Sequence, residues 1–159
     1  QGIIKINLQI MEFKIQDFKH ITPVQIRFND VDALGHVNNA VTQEYFDLGR
    51  SGYLRDSLGA LLGKNGQHMV IVSFKTDFHR QIMPDDAIKV LTCVYKLGNK
   101  SLRMMQWIIK EGEEHPLVSS DSVMAGFFRP DESGMVLPDE WRNRFNKIEC
   151  GRLTPGIDQ

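Results

Sequence analysis

Cysteine, unbalanced charge and long apolar runs are all scarce in this sequence, and each scarcity closes off a class of protein. Two cysteines, Cys93 and Cys150, stand in 159 residues without a C-x-x-C spacing, so neither a disulfide framework nor a thiolate metal site is expected. A reducing, cytoplasmic setting is the simplest match. Nineteen basic residues face twenty acidic ones with no block of one sign, which argues against nucleic acid as a partner. The opening segment Ile3–Phe13 is moderately apolar. Lys5 interrupts it, it falls short of about 18 residues, and no small-residue cleavage site follows, so it reads as neither a membrane span nor a signal peptide. No repeat, low-complexity tract or Pro/Gly-rich linker divides the chain, which is expected to form one domain over 1–159, with 1–20 as an N-terminal extension and 148–159 as a tail. G-x-S-x-G, G-x-x-x-x-G-K-[ST] and G-x-G-x-x-G are absent. This excludes a serine hydrolase of the α/β type, a P-loop enzyme and a dinucleotide enzyme.

What is present is periodicity. Residues 22–29 alternate Val24, Ile26 and Phe28 against polar neighbours, and 67–79 alternate again, with Val70, Val72, Phe74, Thr76 and Phe78 on one face. Strands are predicted at Ile88–Leu97 and Ser101–Lys110, joined through Gly98-Asn99, and at about Leu117–Arg129. A helix is predicted over Asn39–Leu58, its sheet-facing stripe formed by Val41, Tyr45, Leu48, Gly49, Gly52 and Tyr53. Each interior glycine costs about 1 kcal/mol against alanine, so the two point to a close approach between helix and sheet. A short helix from Pro138-Asp139-Glu140 through Phe145 is expected to cap a sheet edge. The order strand, long helix, four consecutive strands predicts an α+β fold with an antiparallel sheet. Leu102, Met104 and Ile108 alternate with Met105, Trp107 and Ile109, so both faces of that strand are apolar, and a second copy of the chain is expected to cover the outer one.

The chemistry concentrates in the connection Arg27 to Asn39, reading R-F-N-D-V-D-A-L-G-H-V-N-N. Asn38 or Asn39 suits a helix N-cap, and the free N–H groups behind it would stabilise an anionic oxygen. Asp32, a few residues upstream, could face the same spot. On its own it reads first as a turn carboxylate bonded to local backbone. Asp30, two residues away on extended chain, should point oppositely and hold Arg27 or a backbone amide. Asp30, Asp32 and His36 make a poor metal site, because three ligands crowd into seven residues with no further His or Cys at ligand spacing. No metal is expected, and His36 is left to fix the loop or the substrate.

The run D-x-D-x-x-G-H-V-N-N between a strand and a long helix resembles the 4-hydroxybenzoyl-CoA thioesterase-like branch of the hotdog superfamily. Glu44-Tyr45-Phe46, Gly49-Arg50, Val70 to Phe78 and Gly98-Asn99-Lys100-Ser101 extend the likeness over about residues 22–145. The resemblance implies a hotdog fold, a long central helix wrapped by about five antiparallel strands, in a homodimer or homotetramer. It implies hydrolysis of acyl-CoA with Asp32 as the catalytic carboxylate and the Asn39 amide polarising the thioester carbonyl. His36 and Asn38 would contact substrate, and Lys100 and Ser101 the coenzyme A phosphates. Coenzyme A enters only as part of the substrate, with no further cofactor. The Asn-Asn run resembles long-chain acyl-CoA members, whereas Thr42 stands where these often carry tyrosine, which leaves the acyl group open. An acyl-carrier-protein thioesterase and a non-catalytic acyl-CoA-binding module are the competing readings.

Overall fold

The computed structural model describes residues 13–151 and 153. Helix α1, Asn39–Leu58, lies on a curled antiparallel sheet built from β1 (His20–Val24), β2 (Gln67–Phe78), β3 (Ile88–Leu97), β4 (Ser101–Lys110) and β5 (Pro116–Phe128) in the order β1-β3-β4-β5-β2. A two-residue strand β6, Ser133–Gly134, pairs with the end of β5, and helix α2, Asp139–Ile148, is the last helix among the described residues. This is the hotdog arrangement. Among the described residues no helix is long and apolar enough to cross a membrane.

The inner sheet face and α1 share two apolar clusters. Tyr45 and Phe46, in the first half of α1, pack on Val90, Ile108 and Val118, while Tyr53, Leu54 and Leu58 pack on Val94, Leu97, Leu102, Met104 and Met124. The helical glycines permit this closeness: a methyl group on Gly49 would lie 2.5 Å from Val90 Cγ1 and 2.9 Å from Gln106 Nε2, and one on Gly52 would lie 3.2 Å from Thr22 Oγ1. Leu48 is not part of the buried stripe. It is exposed, and buried Arg50 comes inward instead, bonding Asp47 and Gln106.

Three further expectations change. The first strand stops at Val24, and Phe28 stands out in a 3-10 turn over Phe28–Asp30 rather than on a half-buried strand face. The outer face of β4 is covered within one chain: Phe13, Ile15 and Phe18 pack on Leu91, Cys93, Met105, Trp107 and Ile109, so the observation that called for a second copy there has an internal explanation. Helix α2 does more than cap an edge. Its Trp141 and Phe145 seal the inner core, and Glu149 just beyond it accepts from Val94 N at 3.0 Å and Tyr53 Oη at 2.7 Å, where β3 has run past the start of β1. Five of the exposed large apolar residues lie on β2, an edge strand that carries Val72, Phe74 and Phe78 at 59%, 51% and 46% exposure.

Candidate active site

The segment between β1 and α1 is anchored from within by Asp30, only 2% exposed. Its carboxylate accepts from Arg27 N at 2.9 Å, Arg27 Nε at 3.1 Å and Tyr45 Oη at 2.6 Å, and its carbonyl accepts from Asn38 N at 2.9 Å. The sequence expectation for Asp30 and Arg27 is met, and Tyr45, read there only as core, adds a buried clamp from the first turns of α1. Burial alone would raise the Asp30 carboxyl, but the hydrogen bonds from Tyr45 and Arg27 and the guanidinium charge outweigh it and hold the group below its ordinary 3.8. Burial and the Asp30 carboxylate together push the Tyr45 phenol up. Because the folded value is depressed, the clamp's contribution is complete above the unfolded value and is lost as pH falls through the folded one. Asp30→Asn is therefore expected to cost roughly 1–3 kcal/mol near neutrality. It should also flatten the loss of stability between about pH 5 and pH 2, which chemical denaturation of both proteins across that range would show.

From this anchor the chain makes a tight loop. Val31 and Val37 bridge, Asp32 N donates to His36 O at 3.1 Å, Gly35 N donates to Asp32 O at 3.0 Å, and buried Val37 is tied to Ile82 O at 2.9 Å. Gly35 closes the turn at φ +85°, in the left-handed region that a side chain disfavours. Asp32 sits half-buried at the loop base. Its Oδ1 accepts from Leu34 N at 2.9 Å and its Oδ2 lies 3.5 Å from Asn38 Nδ2. Asn38 is the N-cap of α1, its Oδ1 accepting from Ala40 N at 2.8 Å, and the Asn39 N–H follows as the first of the helical amides with no intrahelical acceptor.

The structure thus brings Asp32 to the α1 N-terminus through Asn38, but the groups open into two hollows. Asp32 lines one of about 550 Å³ with Ile26, Arg27, Phe28, Asn29, Val31 and Pro84. His36 and Asn39 line a smaller one of about 150 Å³ with Thr42, Phe78, His79 and Arg80. Lys100 and Ser101 are not brought here: the loop meets the sheet near Ile82 and Ile88, where β3 begins, whereas their hairpin lies at the other end of β4, about 30 Å away at roughly 3.3 Å per residue. His79 is half-buried with Nε2 2.9 Å from Ser119 Oγ, and burial holds its imidazole below the ordinary value. Arg80, which the sequence reading passed over, supplies a cation at the smaller hollow and also pairs with Glu113. Its one sequence signal is its place in the short connection between β2 and β3. Among the described residues no three His, Cys, Asp or Glu side chains are grouped to hold a metal ion.

Comparison with known proteins agrees with this fold. The chain is 29% identical over 136 residues to the Bacillus subtilis (strain 168) protein YsmA, covering 85% of this chain and 90% of that one. It superimposes on a thioesterase from Thermus thermophilus, solved with coenzyme A and zinc, at a TM-score of 0.74 and 29% identity over 86% of this chain and 98% of that one. The PA5185 protein of Pseudomonas aeruginosa PAO1 shares the fold at a TM-score of 0.77 and 23% identity, over 85% and 94% of the two chains. A family model matches residues 26–145, from the end of the first strand into α2, and the chain belongs to the thioesterase-like superfamily that this model describes.

Proposed function

We propose that this thioester hydrolase acts on acyl-CoA, with Asp32 as the reacting carboxylate and the start of α1 as the oxyanion site. The observation that supports it most is the pairing of Asp32 with the helix cap, Oδ2 lying 3.5 Å from the Asn38 amide that also caps α1. A helix start carries the equivalent of about half a positive charge, and the unbonded Asn39 N–H is aimed at whatever lies beyond it. A thioester carbonyl polarised there leaves its carbon open to attack, either by Asp32 itself to give an anhydride or by a water whose proton Asp32 takes. In both routes the C–S bond breaks to a thiolate; in the first, water then hydrolyses the anhydride to the free acid and restores Asp32, and in each the proton released by that water balances the one the thiolate gains. A thiol pKa of about 8.5 makes that departure easy without a strong acid, so one carboxylate and one oxyanion site suffice. His36 and Asn38 border the reacting centre and orient it. Lys100 and Ser101 have no role at this site within one chain.

The test is a panel of short, long and aromatic acyl-CoAs together with acyl-carrier-protein thioesters. Hydrolysis of a CoA ester in preference to its carrier-protein counterpart is expected. Preference for the carrier protein would redirect the substrate, and binding without turnover would sink the enzyme reading.

We further infer at least a dimer, formed through β2 rather than through the outer face of β4. An edge strand with exposed Val72, Phe74 and Phe78 has unpaired backbone groups beside apolar side chains, an arrangement that natural sheets otherwise protect. Light scattering at micromolar concentration should give a multiple of the chain mass, and Val72→Lys with Phe74→Lys should give one chain mass with the fold retained by circular dichroism. A monomeric wild type would refute the assembly.

A further inference from the structure

Phe28 is 95% exposed, more than any other large apolar side chain among the described residues, and the turn that carries it is not loose. The turn is pinned at both ends, at Arg27 just before it and at buried Asp30 closing it, with Arg27 N and Nε, Tyr45 Oη and the backbone N–H of Asn38 all converging on Asp30. The clamp turns the chain out of the β1 direction before Phe28 can join Val24 and Ile26 at the core. The aromatic ring is thereby held in solvent on a rigid mount, beside Asp32 and in the wall of the same 550 Å³ hollow. Leu34 and Met83, at 79% and 46% exposure, flank the lining residues Asp32 and Pro84 in the chain and add apolar surface to that region.

We infer that the hollow walled by Ile26, Phe28, Val31 and Pro84 receives the acyl chain of the thioester, with Phe28 as the residue that sets the preferred chain length. The inference rests on the acyl-CoA reading above and goes beyond it by assigning the two halves of the substrate to the two hollows. Charge decides the assignment. In the larger hollow the Arg27 guanidinium is already engaged by Asp30 and Glu44, while the Asp32 carboxylate is met only by neutral amides, so a phosphate there would face an uncompensated negative charge. The smaller hollow has no carboxylate in its wall: Arg80, itself paired with Glu113, stands there with the hydrogen-bonding side chains of His36 and His79, so an anion meets no uncompensated negative charge. The anionic coenzyme A arm therefore leaves past the α1 start and the apolar acyl chain lies on the Phe28 side. The thioester then sits over the loop between Asp32 and Asn39. Covering an aromatic ring with a chain recovers apolar surface on both partners, and an acyl group too short to reach the ring forgoes it.

The experiment compares kcat/KM for acetyl-CoA, hexanoyl-CoA and dodecanoyl-CoA in the wild type, Phe28→Ala and Phe28→Trp, with inhibition by free coenzyme A and the oligomeric state recorded for each. Because Phe28 is exposed, neither variant disturbs the core. The dodecanoyl-to-acetyl ratio of kcat/KM should fall about 10- to 100-fold in Phe28→Ala and recover in Phe28→Trp, the span expected for losing one large apolar contact. A ratio unchanged in Phe28→Ala would overturn the inference. So would weaker inhibition by coenzyme A, which would put Phe28 on the coenzyme arm, or dissociation of the assembly, which would make it an interface residue. A wild type that hydrolyses none of the three esters, nor aromatic ones, would instead overturn the acyl-CoA reading itself.

Discussion

Asp32→Asn is expected to lower kcat at least about 100-fold while the protein stays folded and still binds acyl-CoA, the scale on which a positioned acid, base or nucleophile contributes. The geometry makes this substitution a sharp test. Asparagine keeps the size of the side chain, and its carbonyl oxygen can still accept from Leu34 N, the 2.9 Å bond that holds the turn. It can neither attack a thioester nor take a proton from water. If Asp32 served only the turn, the variant would lose some thermal stability and little turnover per folded molecule. Measuring kcat and melting temperature on one preparation separates these results, and near-wild-type turnover would remove Asp32 from the chemistry. The amide also brings its own donors near Asn38 Nδ2, so Asp32→Ala makes a useful second variant: it removes the carboxylate without placing two amide groups face to face.

The elements that frame the site were legible because their signals are local. Asn38 caps α1 through a bond two residues long and Gly98-Asn99 marks the turn between β3 and β4, so the bounds of α1, β3 and β4 are those the sequence predicts. The failures share a different cause, which is a partner far away in the chain. The alternation of Val24, Ile26 and Phe28 looks the same whether the strand continues or ends. What ends it is Asp30, gripped by Tyr45 fifteen residues later. The outer face of β4 is apolar whether a second copy or the chain's own Phe13 and Phe18 cover it, and these aromatics lie in a stretch too short to show periodicity. On α1 the predicted stripe keeps Tyr45, Gly49, Gly52 and Tyr53 in the buried face but loses Leu48 to solvent, and Thr42, Arg50 and Ser57 are buried beside them. Buried Arg50 reads as a surface residue until Gln106, fifty-six positions on and itself fully buried, is seen to accept from it at 3.4 Å. The distance of Lys100 from the loop within one chain was hidden for the converse reason: hairpin residues are easy to recognise in sequence, but which end of a ten-residue strand meets the loop is a matter of topology.

The largest loss of stability is expected at the end of the molecule remote from Asp32. Phe145 of α2 is fully buried among Tyr53, Leu97, Leu102, Met124 and Trp141, with its ring stacked 6.3 Å from that of Tyr53. Truncation to alanine removes the apolar burial and leaves a cavity that packed neighbours cannot wholly fill, at a cost of about 3–5 kcal/mol. For a domain of this length that corresponds to a fall in melting temperature of roughly 6–20 °C. The effect should extend past the cavity. Glu149, one residue beyond α2, holds Val94 N and Tyr53 Oη, so any loosening of the helix also weakens the closure of β3's free edge. Catalysis should respond differently. The cluster around Phe145 packs on the second half of α1, whereas Asp30, Asp32 and Asn38 gather at its first turn, where Tyr45 and Phe46 pack on Val90 and Ile108. Below the lowered transition, Phe145→Ala should turn over substrate at close to the wild-type rate per folded molecule, which calorimetry and a kinetic assay on the same sample would establish. A drop in kcat well below the transition would mean that the two ends of α1 are energetically coupled, and that the α1 start depends on how its far end is packed.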